Sequence, residues 1–317
     1  LKPQGRRDYE EFDYFTAPDE IRAQYDAYEL EWLNRSYNTY DAIMASGHIG
    51  KICGTVTTQR GLPVSGCSVL LQNQNSGQIV CSMQTDENGK YTGYVYQDDA
   101  DYQLYMDGGG DYQDLYIHEI HVTQGTGIYE YDPVLITNDS DSIQIKLHTL
   151  DATTRNSKEG TEAKALSGQL VIRKGMNTRK GEAVYTGSTD ESGQAEITLP
   201  RGHYTIEAVV DGYERTWKSI MVNPYLEEGE DALVETSVYL IPALSEGESA
   251  FVLTWRDDAE VDLDLTLFTS LVGDDGNMSH IGEGITTDDA QDYLVSDNSS
   301  GCEVVYGSAA YGQGPLK

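Results

Sequence analysis

The sequence predicts a mainly β protein, in which small β-sandwiches follow a short helical segment. Two observations lead to this prediction. From residue 50 onward, short stretches of alternating polar and apolar residues are separated by turns rich in Gly, Asn and Asp, which is typical of β-strands joined by hairpins. In addition, one order of strand and turn signals occurs twice along the chain, which indicates a duplicated domain.

The composition limits both the size of the domains and their partners. A chain of 317 residues is long enough for roughly two to three small domains. Its 53 acidic and 21 basic residues give a formal charge of −32, which repels phosphate backbones and anionic lipid surfaces, so no nucleic-acid partner is expected. No run of about 20 apolar residues occurs, so no membrane-spanning segment is expected.

Residues 1–47 differ from the rest of the chain. Between Asp19 and Ala45 there is neither Pro nor Gly, and aromatic and aliphatic residues recur near helical spacing. Pro18 precedes the acidic first turn, and Gly47 is a typical helix stop. This N-terminal segment is therefore predicted to be helical.

The remaining chain is predicted to hold three β domains. Strand signals occupy residues 48–150, 165–243 and 249–317, and the polar stretch 151–164, which has no periodicity, is predicted to be a linker. The sequence begins with Leu instead of Met and stops without an obvious terminal element. We expect both ends to be cuts in a longer protein and the anchor to lie outside this sequence.

The duplicated signal centres on a turn. The segment Thr85–Gly89 (TDENG) recurs as Thr189–Gly193 (TDESG), and a strand that carries a glycine, Gly54 or Gly168, precedes each copy. The Asp of each turn is predicted to cap local backbone amides, and the final Gly is predicted to take the positive φ that closes a tight hairpin.

This order of signals resembles the carboxypeptidase regulatory-like, or transthyretin-like, β-sandwich and its relative, the B-type repeat of collagen adhesins. The resemblance covers about half of the chain and implies two transthyretin-like sandwiches in a bacterial surface protein. In that family the sandwich is a stalk, spacer or accessory module, and any catalytic part lies elsewhere. The matching segments are Gly54–Val56, Pro63–Val69, Thr85–Tyr91, Gly168–Ile172, Thr189–Gly193, Pro200–Tyr204 and Asp211–Tyr213.

Adhesin repeats of this kind often carry a Lys–Asn bond that a buried acid assists. The acid would follow the Tyr-initiated strand on its inward face. Strand alternation places Glu207 on the face opposite to Tyr204 and Ile206, so no such bond is expected.

The last block, 249–317, is predicted to be a third, β-sandwich-like domain. Its opening, Phe251–Trp255, and the following Val261–Phe268 look like small extracytoplasmic modules of bacterial surface proteins. Asp262 and Asp264 project to one side of a strand, near Asp257, and would repel one another unless a cation compensates. Calcium, which binds six to eight oxygen atoms, is the cofactor that this acidic group predicts; the alternative is a solvated acidic face.

The four cysteines form no C-x-x-C pair and no zinc-site spacing. Cys67 shares a strand face with the apolar Val69, and Cys81 shares one with Met83. Two states are open: a Cys67–Cys81 disulfide, which an oxidising compartment would permit, or buried free thiols that pack as small apolar groups.

The sequence carries no recognisable catalytic motif, and His118 and His121 are predicted to lie on opposite strand faces, where they would not share a metal. The predicted function is therefore a non-catalytic extracellular or cell-surface module that acts as a structural spacer or an adhesive unit. The alternative is a module that binds a glycan, peptide or matrix partner through exposed tyrosines, with Tyr105 and Tyr112 as candidate ligand-binding residues. A minor alternative is a set of accessory domains of a secreted hydrolase whose catalytic part lies outside this chain. Tyr105 and Tyr112 belong to a group of six candidate tyrosines: Tyr94, Tyr96, Tyr102, Tyr105, Tyr112 and Tyr116.

Overall fold

The computed structural model describes most of the chain between residues 49 and 307, and its regular structure there is entirely β, which confirms the mainly β class. No helix in this part is long and apolar enough to cross a membrane. The predicted helical segment, 1–47, lies outside the described residues. The described residues are 49–96, 100–122, 127–138, 142–155, 160–223, 233–255, 265, 267–272, 278–281, 293–296 and 302–307.

The described residues of the first sandwich form nine strands. They are Ile49–Thr55 (β1), Thr57–Thr58 (β2), Ser68–Asn73 (β3), Ile79–Gln84 (β4), Lys90–Tyr96 (β5), Ala100–Met106 (β6), Leu115–Val122 (β7), Ile128–Glu130 (β8) and Val134–Leu135 (β9). One sheet has the order β5-β1-β8, extended by the pair β2-β9, and the other has the order β4-β3-β6-β7.

Both sheets of the first sandwich contribute to a single core. Ile52 and Tyr91 of the three-stranded sheet pack with Val69, Leu71 and Leu104 of the four-stranded sheet. All five are at most 2% exposed. Because side chains alternate between the faces of a strand, every second residue reaches this core, which is the alternation visible in the sequence. Burying each such side chain contributes about 1.5–3 kcal/mol.

The second sandwich repeats the topology of the first. Its strands are Ser142–Asp151 (β10), Gln169–Lys174 (β11), Tyr185–Ser188 (β12), Gln194–Pro200 (β13), Gly202–Val209 (β14), Thr216–Val222 (β15) and Leu233–Leu240 (β16). Its sheets have the orders β13-β10-β16 and β12-β11-β14-β15. In both sandwiches the first strand therefore lies between an antiparallel partner and a parallel last strand.

Backbone hydrogen bonds fix which residues correspond. The amide of Val56, just after β1, donates to the carbonyl oxygen of Gly89 at 2.8 Å, and the amide of Thr149 in β10 donates to that of Gly193 at 2.9 Å. Val56 and Thr149 are both fully buried. β10 is therefore the counterpart of β1, and the duplication predicted from the turns extends to the whole sandwich.

The predicted capping and the predicted positive φ are present in both copies of the turn. The predicted hairpin is wrong, because each turn joins strands of different sheets, β4 to β5 and β12 to β13. Asp86 Oδ1 accepts hydrogen bonds from the amides of Asn88 and Lys90 at 2.8 and 2.9 Å. Asp190 Oδ1 accepts the corresponding two bonds from Ser192 and Gln194, each at 2.9 Å. The closing glycines have φ angles of 76° and 69°, a region that favours glycine because it has no Cβ.

The threonine of each turn hydrogen-bonds to the backbone just before the neighbouring strand of the sheet, which is β3 in the first sandwich and β11 in the second. Thr85 Oγ1 accepts from the amide of Cys67 at 2.8 Å and donates to the carbonyl oxygen of Val64 at 2.6 Å. Thr189 Oγ1 accepts from the amide of Gly168 at 3.0 Å and donates to the carbonyl oxygen of Leu166 at 3.2 Å. Gly168 is thus the counterpart of Cys67, and the predicted match between Gly168 and Gly54 is replaced by this one.

The domain boundaries differ from the predicted ones at residue 150. Residues 142–150, predicted to end the first domain, form most of β10 and pair with β13 and β16. The described parts of the predicted linker, 151–155 and 160–164, lie between β10 and β11 in the chain, and the amide of Asp151, the last residue of β10, donates to the carbonyl oxygen of Lys164 at 2.9 Å. The second sandwich therefore begins at Ser142 instead of residue 165.

The last block joins the second sandwich. Its strands are Ser249–Thr254 (β17), Leu267–Val272 (β18), Met278–Ile281 (β19), Tyr293–Ser296 (β20) and Cys302–Gly307 (β21), in the orders β17-β21-β20 and β18-β19. Cys302 and Val304 pack in one cluster with Ala152 and Tyr239. Accordingly, the chain divides into two compact units: residues up to Asp141 with Lys174–Thr178 and Arg201–Tyr204, and the remainder.

Candidate functional site

An aromatic row lies on the outer face of the sheet β4-β3-β6-β7. Tyr105 of β6 and Tyr116 of β7 are direct cross-strand partners, and their ring centroids are 4.8 Å apart. His118 stacks on Tyr116 with centroids 6.0 Å apart and an interplanar angle of 18°. Tyr116 is 39% exposed, so the row, defined as Tyr105, Tyr116 and His118, presents ring surface to solvent.

A β-bulge places both histidines of β7 on this outer face. The pairing with β6 shifts register beside Glu119, whose φ is 57°. The extra residue reverses the alternation of inward and outward side chains beyond the bulge, so His118 and His121 lie on the same face. His121 contacts the outward Asp101 at 2.7 Å, and His118 stacks on Tyr116. The prediction that the two histidines lie on opposite faces is therefore wrong.

Two rings of the aromatic row, Tyr105 and His118, have shifted pKa values. The hydroxyl of Tyr105 donates to Asp114 Oδ2 at 3.1 Å, and desolvation together with this carboxylate raises the pKa of Tyr105 to about 12. Partial burial lowers the pKa of His118. Both rings are therefore uncharged at neutral pH, and the row can stack on an apolar surface while its edges form hydrogen bonds.

Tyr112, the other predicted ligand-binding residue, lies away from this row. It is half-buried against the first core and forms an isolated bridge with Thr137. Its counterpart in the second sandwich is Tyr213, which bridges Pro242 and whose hydroxyl donates to the buried Asp151 at 2.8 Å. Tyr112 therefore covers the edge of the first core and is not part of the aromatic row. Two more of the six candidate tyrosines, Tyr94 and Tyr102, are at most 2% exposed and therefore belong to the buried part of the sandwich.

The equivalent outer face of the second sandwich carries different chemistry. The amide of Gln74 donates to the carbonyl oxygen of Asp101 at 2.9 Å, and the amide of Gly175 donates to that of His203 at 2.8 Å, so Asp101 and His203 correspond. Counting along the strands, Glu207 then stands where Tyr105 stands. The sequence alone did not identify this equivalence, because strand alternation does not fix the register between repeats.

Glu207 is the buried member of an ionic cluster on that face. Its side chain is 7% exposed and contacts Arg173 at 2.6 Å and Arg215 at 3.1 Å. Nearby, the guanidinium carbon of Arg179 lies 4.8 Å from the ring centroid of Trp217, a cation–π contact. The two outer faces therefore share a scaffold and differ in the groups that they present.

A groove of about 330 Å³ lies in the second unit between β15, β16 and β17. Two of its lining residues are joined by a hydrogen bond, which Lys218 Nζ donates to the carbonyl oxygen of Ser237 at 2.7 Å. The aromatic side chains of Trp217 and Tyr239 and the exposed Val252 line its walls. The groove offers mixed apolar and cationic surface, and no residue predicted from the sequence belongs to it.

The structure does not bring Cys67 and Cys81 together. Both are free buried thiols, and burial raises the pKa of each to about 11. Cys81 pairs with Leu71, four residues along β3 from Cys67, which separates the two Cα atoms by about 13 Å at the usual rise per residue. A disulfide needs Cα atoms 4.4–6.8 Å apart, so this distance excludes the bridge, and the two cysteines are buried free thiols in this structure.

The predicted calcium ligands Asp257, Asp262 and Asp264 lie outside the described residues. Within the part of the chain that the structure describes, no group of three His, Cys, Asp or Glu side chains is placed to hold a metal ion. Calcium at the three aspartates therefore stays a prediction.

No protein-family model matches the sequence, and no curated protein is significantly similar to it. Among solved structures, the Bacillus anthracis TIE protein is similar at 15% identity and a TM-score of 0.25, with 82% of this chain and 44% of that chain covered. The shaft pilin SpaA of Lactobacillus rhamnosus GG matches at 12% identity and 0.23, over 62% and 99%. The Streptococcus agalactiae minor pilin GBS52 matches at 15% and 0.23, over 62% and 97%. TM-scores of this size do not establish a common fold, and the function below is based on the chain's own geometry.

Proposed function

We propose that this chain is a non-catalytic extracellular module whose sandwiches act as a structural spacer of a cell-surface protein. The observation that carries the proposal is the duplication of one sandwich, strand by strand, with different chemistry at equivalent surface positions. Where Tyr105 contacts Asp114 in the first copy, Glu207 contacts Arg215 in the second. A duplicated binding site would retain its contact residues, whereas a spacer needs only its scaffold.

The polar groups that both copies retain serve the scaffold. Thr85 and Thr189 each join two backbone groups, and Asp86 and Asp190 each close a turn. The large negative charge keeps such a module soluble and discourages contact between copies, which suits a unit that separates other domains.

A surface-display experiment tests the spacer function. The chain is placed between a cell-wall anchor and an epitope tag, and antibody access to the tag is measured by flow cytometry. Deleting residues 49–138 is expected to reduce access, and an unrelated sandwich of equal length is expected to restore it. Loss of access that no unrelated sandwich restores would contradict the proposal, as would a deletion without effect.

The aromatic row supports a second candidate, a module that binds a glycan or a peptide. Tyr116 exposes its ring between Tyr105 and His118, and flat aromatic surface of this kind suits weak stacking contacts. A glycan and peptide array tests it: Tyr116→Ala is expected to abolish any signal of the natural chain, while Tyr185→Ala in the second sandwich serves as the matched control. A natural chain that binds nothing on either array excludes this candidate.

A further inference from the structure

The first and last strands of each sandwich are neighbours and run parallel. In the first sandwich, β1 and β2 pair with β8 and β9. In the second, β10 pairs with β16. We call each of these the terminal strand pair. The pairs correspond, because Thr58 pairs with Leu135 in the first sandwich as Asp151 pairs with Leu240 in the second.

This arrangement determines how tension acts on a sandwich. The chain enters at the start of the first strand and leaves at the end of the last strand, so a pull on the two ends drags parallel neighbours past one another along their length. The hydrogen bonds between them then share the load and must break together. A pull on two strand starts at the same end would instead open the ladder one bond at a time.

The two terminal strand pairs differ in length and continuity. The second contains eight residue pairs in an unbroken run from Gln144–Leu233 to Asp151–Leu240. The first contains three pairs in β1-β8 and two in β2-β9, and the pairing is interrupted between them at residues 54–56 and 131–133. Pro133 in this gap has no amide hydrogen to donate, although its carbonyl oxygen accepts from the amide of Thr57 at 3.0 Å. A side-chain bond partly spans the gap: the amide of Thr55 donates to Asp132 Oδ1 at 2.7 Å.

Side chains also cross-link the second terminal strand pair. Glu235 of β16 contacts Lys146 at 3.2 Å and His148 at 2.8 Å, both on β10. These contacts lie on the solvent side of the ladder, and both partner side chains stand on the strand that a pull would move against Glu235. No comparable ionic link joins β1 to β8 among the described residues.

We propose that both terminal strand pairs make this chain resist tension and that the first sandwich yields before the second. The use of this property in the cell rests on the proposed spacer function, but the property itself follows from strand direction and pairing. The two proposals can be refuted separately. The surface-display assay depends on the length of the folded module, which a sandwich with a weak terminal strand pair still has, whereas the force assay depends on the strand pairing.

Single-molecule force measurements on the full chain test the effect of direction. Cysteine handles are introduced in a Cys53→Ser background, either at Ser142 and Ala243, which shears the second terminal strand pair, or at Gln144 and Leu233, which peels it. The rupture force is expected to be several-fold higher for the shearing handles. Equal forces for the two handle pairs would overturn the proposal.

Disulfide locks test the order of yielding when the full chain is pulled from its termini. A Gln144→Cys/Leu233→Cys lock withholds about 32 nm of extended chain, and the matched Lys51→Cys/Ile128→Cys lock in the first sandwich withholds about 28 nm. The first-sandwich lock is expected to remove the lower-force event, and the second-sandwich lock the higher-force event; adding reductant restores each. The reverse assignment would refute the order of yielding.

Discussion

Removing the hydroxyl of the turn threonine should destabilise the first sandwich more than the second. In Thr85→Val, two groups lose their partner, the amide of Cys67 and the carbonyl oxygen of Val64. In Thr189→Val, the amide of Gly168 loses its partner, but the carbonyl oxygen of Leu166 keeps a bond from the hydroxyl of Thr149.

The magnitudes follow from the number of buried groups left without a hydrogen bond. Each such group costs about 1–3 kcal/mol, so we expect a loss of about 3 kcal/mol for Thr85→Val and about 1.5 kcal/mol for Thr189→Val. Thr149 accounts for the difference, since Val56 occupies its place in the first sandwich and has no hydroxyl.

Urea unfolding followed by circular dichroism measures both losses, and amide hydrogen exchange at Cys67 and Gly168 localises them. Thr85→Ser and Thr189→Ser keep the hydroxyl and should lose less than about 1 kcal/mol. Thr186→Val, at an exposed position of β12, is the control for the side-chain change itself. A loss for Thr189→Val equal to or larger than that for Thr85→Val would refute the reasoning.

Four further outcomes are expected. Gly89→Ala should destabilise the first sandwich by more than Gly61→Ala in thermal unfolding, because both have positive φ but only at Gly89 would a Cβ collide with backbone; equal losses would exclude the collision. Glu207→Gln should cost about 3 kcal/mol in urea unfolding, because it removes the buried charge partner of Arg173, whose own side chain is only 14% exposed, and a loss below about 1 kcal/mol would contradict that role. The pKa of Glu235 is lowered by hydrogen bonds from His148 and Lys146, so its contribution is complete above about pH 4.5 and is lost as the pH falls through the lowered value. Glu235→Gln should therefore flatten the acid limb of the stability profile by at most about 0.5 kcal/mol, since the pair is exposed. Calcium should raise the melting temperature of the natural chain but not that of Asp262→Asn, and an unchanged natural chain would exclude the site.

Local chemistry made much of the fold predictable. Alternation of polar and apolar residues marks strands such as Ile143–Leu147 wherever one face is buried, and it requires no knowledge of the partner strand. The turns at Asp86 and Asp190 are equally local, because the carboxylate bonds amides two and four residues away. The outward position of Glu207 also followed from alternation alone.

The members of the candidate site were harder to predict from the sequence than the strands and turns. Tyr105 was identified, but its partner Tyr116 was only one of six tyrosines, because cross-strand neighbours depend on register. Tyr112 has the same side chain and closes the sandwich instead, which its position after a glycine-rich loop does not reveal. The bulge at Glu119 inverted the predicted faces of the histidines, since one extra residue changes the phase of every residue after it.

The sequence by itself determined that this protein is acidic, β-rich and duplicated, because charge, alternation and turn chemistry are properties of short segments. Only the tertiary structure decided that β10 opens the second sandwich, that the parallel terminal strands are neighbours, and that Arg173 and Arg215 enclose Glu207. The physical reason is that strands carry similar local patterns whichever edge they join. Their partners are chosen by the burial of two whole sheets against each other, which brings together residues far apart in the chain.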